Sequence, residues 1–423
     1  MAESHSAGQG GAGKRLPSGF ADLINPMQVA EFTSQYWERE HLILHRQDPD
    51  YYAGLLTLAD MDHLISNARV RSSDLRIVAD GEPTPVSALV SETGNGAHAR
   101  EAVYAEYRKG ATLNLLFLEQ HWNPLDRLCQ SMTEIFGGLV HVNSYLTPAG
   151  TRGLTEHYDT HDVFVAQIYG TKRWRLYGQP YRLPLQNQRY KRPEEGPGEP
   201  VADFILEPGD LLYMPRGTVH QAVSNDRASL HLTFGVTTST WAELLTQAVS
   251  KAVESDEKFR ESVPLGFTTE DEIRQEAERH AGALLRKLAE SIRPDAVLTM
   301  ARKQAVLARK PALEGHLLDL ESLPFVDLNT KLVRRPHLLW SLTERPDGGV
   351  SLEFNGKEVS FPGHVADELR YLTETELLTG RGIPGNLDDS GRLVLLRRLI
   401  REGFLTVPAS AGAAAPAGSP TAD

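Results

Sequence analysis

The stretch covering residues 143–174 decides the fold, and it reads N-S-Y-L-T-P-A-G-T-R-G-L-T-E-H-Y-D-T-H-D-V-F-V-A-Q-I-Y-G-T-K-R-W. At its centre stands His157-Tyr158-Asp159. Side chains alternate along an extended chain, so the imidazole of His157 and the carboxylate of Asp159 point to the same side. A second histidine, His220, follows in E-P-G-D-L-L-Y-M-P-R-G-T-V-H-Q-A. These two segments are candidates for one shared site.

Short apolar runs separated by glycine and proline turns extend from Leu139 to about Val236. Turns are indicated at Pro148-Ala149-Gly150, at Gly170-Thr171 and at Pro208-Gly209, and the run L-H-L-T-F-G-V closes the set. Many short antiparallel strands with such turns predict a closed or nearly closed β-barrel. Both histidine segments would then fall at strand ends, where the mouth of the barrel gathers them.

Two histidines and one carboxylate on one face of a metal, with other positions open, form the ligand set of non-haem Fe(II) oxygenases. We therefore take His157, Asp159 and His220 as the metal ligands. A lone H-x-D triplet is common by chance, and histidines buried in an ordinary core are the alternative. His161 shares the same side and could replace His220. We favour His220, because a set drawn from one strand alone would be stretched, and we expect His161 beside the site or at the surface.

Lys172 is the second informative residue. In K-R-W-R-L-Y it shares a strand face with Trp174 and Leu176, so it points into the barrel if they do. A buried ammonium without an anion is costly, so it needs a carboxylate. The partner is either a protein Asp or Glu, or the distal carboxylate of a dicarboxylic cosubstrate.

Polar side chains of the preceding strand are expected in the same cavity. Asn143, Tyr145 and Thr147 alternate onto one face of that strand. They can donate hydrogen bonds to a ligand, or they can serve ordinary hydrogen bonding within the barrel.

Length and composition predict a globular protein of two or three domains. The chain has 423 residues, with a formal net charge of -12. A general nucleic-acid binder has the opposite sign of charge, so nucleic acid is an unlikely partner and a basic protein or peptide is favoured. The single cysteine, Cys129, excludes an internal disulfide and fits a reducing compartment. No signal peptide or apolar run of bilayer length is evident, so we expect a cytoplasmic protein without a membrane partner.

The composition divides the chain into five segments. These are a disordered tail (1–16), a catalytic domain (17–240), a helical region (241–332), a winged-helix-like domain (333–407) and a second disordered tail (408–423). The helical region is expected to dimerise, with simple packing against the barrel as the alternative. Winged-helix folds often bind DNA, but residues 336–407 hold eight basic and eleven acidic residues, a balance of 8 − 11 = −3. That balance favours a structural or protein-contact role.

The two motif segments together resemble the JmjC-type cupin oxygenases, and more narrowly the ribosomal oxygenase family. The segments Y-W-E-R-E-H-L (36–42) and Y-R-K-G-A-T-L-N-L (107–115) are also similar to that family. So are F-P-G-H-V-A-D-E-L-R and L-V-L-L-R-R-L-I-R-E-G-F-L near the end of the chain. The resemblance covers roughly residues 20–407, and its motifs are specific in combination.

The resemblance implies an α+β protein with a double-stranded β-helix (cupin/JmjC) catalytic barrel, a helical dimerisation region and a C-terminal winged-helix domain. It implies Fe(II), with 2-oxoglutarate and O2 as cosubstrates. By position, the residues that match the iron ligands are His157, Asp159 and His220. Lys172 matches the residue that pairs with the distal carboxylate of 2-oxoglutarate, and Asn143 and Tyr145 match polar active-site residues of the family. No catalytic residue beyond the metal ligands is implied.

The implied reaction is hydroxylation of a side chain of a basic protein, by analogy a His or Arg of a ribosomal protein, in a homodimeric enzyme. The same chemistry on a peptide natural product or a small molecule is the alternative. Two alternatives of another class are a non-catalytic metal-binding cupin and a winged-helix regulator. The chain departs from the family at Thr160-His161 and at Gly235, where a small hydroxyl residue is expected. We expect these departures to alter the substrate pocket and to leave the iron site undisturbed.

Overall fold

The computed structural model describes residues 16–66, 74–79, 81–84, 97–309, 311 and 313–408. The chain divides into two compact units, Met1–Thr238 and Ser239–Asp423, which are described separately. The two tails predicted to be disordered lie outside the described residues, except for Leu16 and Pro408.

The first unit consists of short helices and eleven strands. Its helices are α1 (Phe20–Ile24), α2 (Val29–Gln35), α3 (Leu58–Ser66), α4 (Ala97–Arg108) and α5 (Asn123–Phe136). Its strands are β1 (Leu42–Leu44), β2 (Leu75–Ala79), β3 (Glu82–Thr84), β4 (Thr112–Leu115), β5 (Leu139–Thr147), β6 (Asp162–Tyr169), β7 (Lys172–Leu176), β8 (Ala202–Leu206), β9 (Leu211–Met214), β10 (His220–Ser224) and β11 (Ser229–Thr237).

These strands form two antiparallel sheets packed face to face, a two-sheet form of the closed or nearly closed β-barrel that the turn pattern predicts. The larger sheet has the order β1-β9-β6-β11-β5-β4-β2-β3, and the smaller sheet has the order β10-β7-β8. An apolar cluster that includes Val165 of β6, Trp174 of β7 and Leu212 of β9 packs the two sheets together. Two isolated bridges, Arg152–Val223 and His157–His220, lie outside the ladders of the named strands. The result is a two-sheet barrel with the histidine bridge at one end.

Both faces of strand β6, in the larger sheet, are buried. Val163 and Val165 face the cluster between the two sheets. Phe164 and Ala166 alternate onto the other face, where they join the main core formed with the helices. A strand covered on both faces becomes a nearly continuous apolar run, and D-V-F-V-A-Q-I-Y has that character.

Helix α5 covers that second face with the stripe Leu125, Leu128 and Met132, all fully buried. The helical spacing of Leu125, Leu128, Met132, Ile135 and Phe136 predicts one apolar face, but Ile135 is exposed, so that part of the prediction is wrong. Ile135 lies at the edge of the stripe, about 20° beyond Leu128, where its side chain reaches solvent. The helix ends at Gly137, whose φ of 62° suits a glycine cap.

The sequence predicts a helix over residues 57–69 with Thr57 as its cap, and α3 begins there. The Thr57 hydroxyl accepts a hydrogen bond from the Asp60 N–H at 3.1 Å, and the Asp60 carboxylate accepts from the Thr57 N–H at 2.8 Å. This reciprocal pair satisfies donors that the first turn of a helix leaves free. The predicted continuation of the helix to Arg69 lies outside the described residues.

The second unit has six helices and six strands within the described residues. The helices are α6 (Trp241–Ser255), α7 (Asp271–Ser291), α8 (Pro294–Leu307), α9 (His316–Ser322), α10 (Ala366–Glu374) and α11 (Asp389–Arg401). The strands are β12 (Leu332–Arg334), β13 (Trp340–Glu344), β14 (Val350–Phe354), β15 (Lys357–Phe361), β16 (Leu377–Leu378) and β17 (Leu405–Thr406). The sequence predicts a strand over residues 338–342, but β13 begins at Trp340, because a turn at Pro336-His337, with His337 at φ 55°, precedes it.

Two three-stranded sheets, β13-β14-β15 and β16-β12-β17, share one core with helices α10 and α11. Helix α8 packs beside the first of these sheets, and Lys303 there pairs at 2.8 Å with the fully buried carboxylate of Glu353. Within the described residues, none of the helices combines the length and the apolar character that a bilayer crossing demands.

Candidate active site

The two candidate histidine ligands face each other across a short antiparallel bridge. The His220 N–H donates to the His157 carbonyl at 2.8 Å, and the His157 N–H donates to the His220 carbonyl at 3.3 Å. Residues paired in this way carry side chains on the same face, and the two imidazole centroids are 4.5 Å apart. The bridge therefore brings together two histidines that are far apart in the chain.

Asp159 completes the cluster. One ligand atom from each of His157, Asp159 and His220 can be chosen so that all three lie within 4.8 Å of one another. His220 Nε2 is 3.9 Å from the Asp159 carboxylate. Among the described residues, this is the one group of three or more His, Cys, Asp or Glu side chains with metal-ligand spacing. His161 lines the same cavity but is not a member of the group.

Backbone carbonyls orient both imidazoles. His157 Nδ1 lies 2.7 Å from the Thr155 carbonyl, and His220 Nδ1 lies 3.0 Å from the Thr218 carbonyl. A carbonyl oxygen only accepts, so each Nδ1 carries the proton and donates. Each Nε2 is then left with a free lone pair directed into the site, which is how metal-binding histidines are commonly held.

The electrostatics keep these groups in the protonation states that metal binding needs. Burial, with the charge of His157 next in size, lowers the pKa of His220 to about 4, so its imidazole is neutral at neutral pH. Burial alone would raise the pKa of Asp159, but the imidazoles of His161, His157 and His220 together bring it below its usual value. A neutral imidazole and an ionised carboxylate are the forms that bind a metal cation.

Lys172 is buried in the same cavity, as its strand face predicted, and only 2% of it is exposed. Its ammonium donates to the Thr147 hydroxyl at 3.0 Å. In the described part of the chain no carboxylate lies within ion-pair distance of it, so the protein Asp or Glu partner considered above is not found. Burial lowers the pKa of Lys172 to about 7. The remaining candidate partner is the carboxylate of a ligand.

Two more buried polar atoms beside Lys172 lack partners. The indole N–H of Trp174 and Nδ1 of His231 make no hydrogen bond within the described residues. Burial, together with the charge of Lys172, lowers the pKa of His231 well below its usual value, so its imidazole is neutral. Buried polar groups are nearly always hydrogen-bonded in proteins, and unpaired ones that converge on a cavity indicate a ligand.

The cavity that holds these groups has a volume of about 380 Å³. Asn143 and Tyr145 line it, as predicted from their strand face. The Asn143 side-chain oxygen is already occupied by the N–H of Phe117 at 3.0 Å. Burial, reinforced by the charge of Asp159, raises the pKa of Tyr145 to about 12, so its hydroxyl remains a hydrogen-bond donor.

Sequence reasoning missed several cavity residues, namely Arg76, Phe117, His141, His231 and Thr233. Arg76 could have been found only from strand order, because Arg76, Asn114 and Tyr145 lie opposite one another across β2, β4 and β5. His231 carried a signal in the sequence, since it shares a strand face with Gly235 in L-H-L-T-F-G-V.

Gly235 makes room for two imidazoles. A Cβ at this position would lie 2.5 Å from the His141 ring and 2.8 Å from the His161 ring, both closer than real contacts allow. The two rings are 5.3 Å apart, and both line the cavity beside Asp159. Because Gly235 has no side chain, β11 leaves the space that the imidazoles of His141 and His161 occupy.

A Gly235→Ser substitution tests this arrangement. We expect the new side chain to displace His141 and His161 and to raise the KM of the substrate by about tenfold, the lower end of what one extra group in a binding pocket costs. The affinity for Co(II) should be unchanged, because the three ligand atoms do not contact Gly235. A parallel loss of Co(II) affinity would contradict this separation. Thr233→Ser, on the same strand face, adds no bulk and is the control.

Comparison with known proteins agrees with this site. A model of the JmjC domain matches residues 116–244. Ribosomal oxygenase 2 of Mus musculus is 31% identical over 345 residues, which cover 78% of this chain and 73% of that protein. Ribosomal oxygenase 1 of Gallus gallus is 35% identical over 263 residues, which cover 60% of this chain but only 43% of that protein.

Solved structures show the same fold. The Escherichia coli protein ycfD matches with a TM-score of 0.52 and 17% identity, over 90% of this chain and 98% of its own. A second structure of YcfD, described as a ribosomal oxygenase in complex with cobalt and 2-oxoglutarate, matches with a TM-score of 0.50. The expected JmjC/cupin fold with mixed helix and sheet content is thereby confirmed. Given its 31% identity over nearly three quarters of a named relative, the chain belongs to the ribosomal oxygenase family of JmjC-domain enzymes.

Proposed function

We propose that this protein is an Fe(II)- and 2-oxoglutarate-dependent hydroxylase of a ribosomal protein side chain. One observation carries the proposal: a single cavity holds an open His-Asp-His cluster and, further in, a buried lysine that lacks a protein carboxylate among the described residues. A metal binder without turnover has no use for that cation. A dicarboxylic cosubstrate that reaches from the metal to the lysine accounts for both.

The residues present fit these groups. Two imidazoles and a carboxylate with open positions opposite suit Fe(II), and YcfD has been solved in complex with cobalt and 2-oxoglutarate. His157, Asp159 and His220 would hold the metal, and Lys172 with Thr147 would hold the distal carboxylate. When bound, the metal and 2-oxoglutarate supply the oxidising power that inserts one oxygen atom into a C–H bond.

The protein's own contribution is to position these groups and to exclude water. Lys172 presents its charge in a dry site, where an electrostatic contact is stronger than in water. Tyr145 and Asn143 line the same cavity from one face of β5, and Arg76 lies in register with Tyr145 across β4. Held groups of this kind lower the barrier by fixing the geometry before the reaction.

The substrate class rests on the family and on charge. The relatives are named ribosomal oxygenases, and one is named a histidyl-hydroxylase. Ribosomal proteins are generally basic, and this chain has a formal net charge of -12, which favours their encounter. A histidine or an arginine is the proposed target. A reducing compartment such as the cytoplasm is proposed for the enzyme, because the chain has a single cysteine, Cys129, and therefore no internal disulfide.

Succinate release by the purified protein tests the proposal. The full-length chain is incubated with Fe(II), 2-oxoglutarate and ribosomal proteins from a strain that lacks its gene. We expect succinate, together with a mass increase of one oxygen on a single ribosomal side chain. Succinate without an oxygenated protein would keep the chemistry and move the substrate to peptides or small molecules. No succinate from a protein that verifiably binds iron would contradict the enzyme and favour a binding cupin.

A homodimer built on the helices of the second unit is also proposed. Large apolar side chains stand exposed on them, among them Trp241, Leu285 and Leu298 at 66%, 66% and 55%. The three residues belong to three consecutive helices, α6, α7 and α8, and exposed apolar surface of this kind is a candidate interaction surface. The winged-helix assignment of residues 333–407 is proposed alongside, as a protein-contact module.

Light scattering tests the dimer. The intact chain should show twice the mass of 46.8 kDa. A Leu285→Glu substitution should raise the dissociation constant at least tenfold, since truncation or charging of a central interface residue costs roughly 1.4 kcal/mol or more. Val394→Glu is the matched control, because Val394 is equally exposed, at 66%, but lies on α11. A monomeric wild-type protein would overturn the proposal.

A further inference from the structure

Residues 184–200 form a loop without regular strands or helices, here called the rim loop. It contacts the segment that carries His157 and Asp159. In that segment the odd-numbered residues 157, 159 and 161 line the cavity. The even-numbered residues of the same segment contact the rim loop instead, namely Glu156, Tyr158 and Thr160. The two sides of one short segment therefore serve two different structures.

Three contacts hold the rim loop to the even-numbered side. The Tyr158 hydroxyl donates to the Gln188 carbonyl at 2.8 Å. Tyr158 is buried, and its ring packs edge to face on Tyr190 at 5.2 Å. At the outer end, the Thr160 hydroxyl and the Gln186 side chain are 3.2 Å apart. These contacts come from alternate residues, Tyr158 and Thr160, so they hold the same side of the segment.

Glu156 extends this connection to the second histidine. One of its carboxylate oxygens accepts a hydrogen bond from Gln221 at 3.1 Å, and Gln221 directly follows His220. Its other oxygen faces Arg192 of the rim loop at 3.3 Å, as an ion pair without the geometry of a hydrogen bond. Glu156 is buried, with 9% of its surface exposed, whereas the Arg192 side chain is 57% exposed. The Glu156 carboxylate, next to His157 in the chain, thus connects Gln221, next to His220, with Arg192 of the rim loop.

We propose that the rim loop is a positioning element for the metal site, acting through Glu156 and Tyr158. Beyond the bridge that pairs His157 with His220, the backbone of Asp159 is tied by one hydrogen bond, from the Gly217 N–H to the Asp159 carbonyl at 3.0 Å. The loop holds the residues on both sides of Asp159, Tyr158 and Thr160, and with them the direction of its carboxylate. This inference rests on the proposed function in that it takes His157, Asp159 and His220 as metal ligands.

Such coupling must be reciprocal. If the seated loop raises the affinity for metal, bound metal stabilises the seated loop by the same factor. The loop offers a direct readout, because Arg189 and Lys191 are exposed and provide bonds that trypsin can cut. Arg192 precedes Pro193 and gives no cleavage. Cleavage after Arg189 should therefore slow when Co(II) is added, and this measurement needs no turnover.

The test uses the full-length chain with Tyr158→Phe and Arg192→Gln combined. Tyr158→Phe keeps the ring packing and removes only the hydroxyl, and Arg192→Gln removes only the ion pair. We expect the affinity for Co(II), measured by its visible absorption, to fall about tenfold, the lower end of what loss of an outer partner of a metal ligand costs. Cleavage after Arg189 should become faster and lose its dependence on Co(II). Arg192→Lys in place of Arg192→Gln, combined with Tyr158→Phe, should restore part of the lost Co(II) affinity.

Lys191→Gln is the matched control. It removes one positive charge from the adjacent position, and Lys191 makes no ion pair in the part of the chain that the structure describes. Its Co(II) affinity should equal that of the wild type. If the double variant binds Co(II) as tightly as the wild type, whether or not its loop is cut faster, the coupling is refuted. If the wild-type protein itself binds no Co(II), the proposed function has failed instead.

Discussion

Replacing Asp159 with alanine is expected to abolish both metal binding and succinate formation. Asp159 supplies the only carboxylate of the three-residue cluster, and its ligand atom lies within 4.8 Å of those of His157 and His220. Loss of an outer partner of a ligand costs about 10–100-fold in metal affinity, so loss of a ligand itself should exceed about 100-fold. Titration with Co(II), followed by visible absorption, measures the affinity without requiring turnover.

The same titration decides which histidine is the third ligand. His220→Ala should behave like Asp159→Ala, whereas His161→Ala should keep its Co(II) affinity, because His161 lines the cavity outside the cluster. Melting temperatures of the metal-free variants serve as the control for folding. A His161→Ala protein that loses its metal while His220→Ala retains it would reverse the assignment.

Lys172→Met is expected to weaken 2-oxoglutarate binding by about thirtyfold or more and to leave Co(II) affinity unchanged. Removing one partner of a buried charge pair costs about 2–5 kcal/mol, and each 1.36 kcal/mol is tenfold. Methionine fills similar space without a charge. Lys109→Met, at an exposed lysine, is the control. Isothermal titration of 2-oxoglutarate into the Co(II)-loaded protein measures the first affinity, and visible absorption during Co(II) titration measures the second. An unchanged 2-oxoglutarate affinity would show that Lys172 does not meet the distal carboxylate.

The pKa of Lys172 adds a pH dependence to this prediction. In the ligand-free protein the pKa is about 7, below the ordinary value of 10.5, because the ammonium is buried. A ligand carboxylate favours the charged form, so binding must restore the proton above pH 7. The 2-oxoglutarate affinity should therefore fall by up to about tenfold per pH unit above pH 7, and should be flat below it. The Lys172→Met variant should lack this dependence.

The stability of the ligand-free protein depends on pH in the opposite direction from its 2-oxoglutarate affinity. Between pH 7 and 10.5 the unfolded chain binds a proton at Lys172 that the ligand-free folded chain does not. Lys172 therefore increases the free energy of unfolding as the pH rises from 7 to 10.5. The gain should be absent from Lys172→Met, which chemical denaturation at pH 7 and pH 9 can measure.

Local rules in the sequence predicted which side chains share a face. Alternation along a strand placed His157 with Asp159 and put Lys172 beside Trp174, and the structure has both pairs facing the cavity. Helix periodicity located α5 but misplaced Ile135, because an apolar residue at the edge of a stripe need not be buried. These inferences hold over one turn or a few strand residues, where the backbone geometry alone fixes direction.

Tertiary structure decided everything that depends on strand register and on long-range neighbours. The bridge that brings His157 against His220, the absence of a described carboxylate near Lys172, and the contact of Gly235 with His141 and with His161 all join residues distant in sequence. The sequence by itself predicted which residues would be the metal ligands and the side on which they lie. How they meet required the packed chain, because register across strands is set by the packing of whole sheets and is not encoded in any one segment.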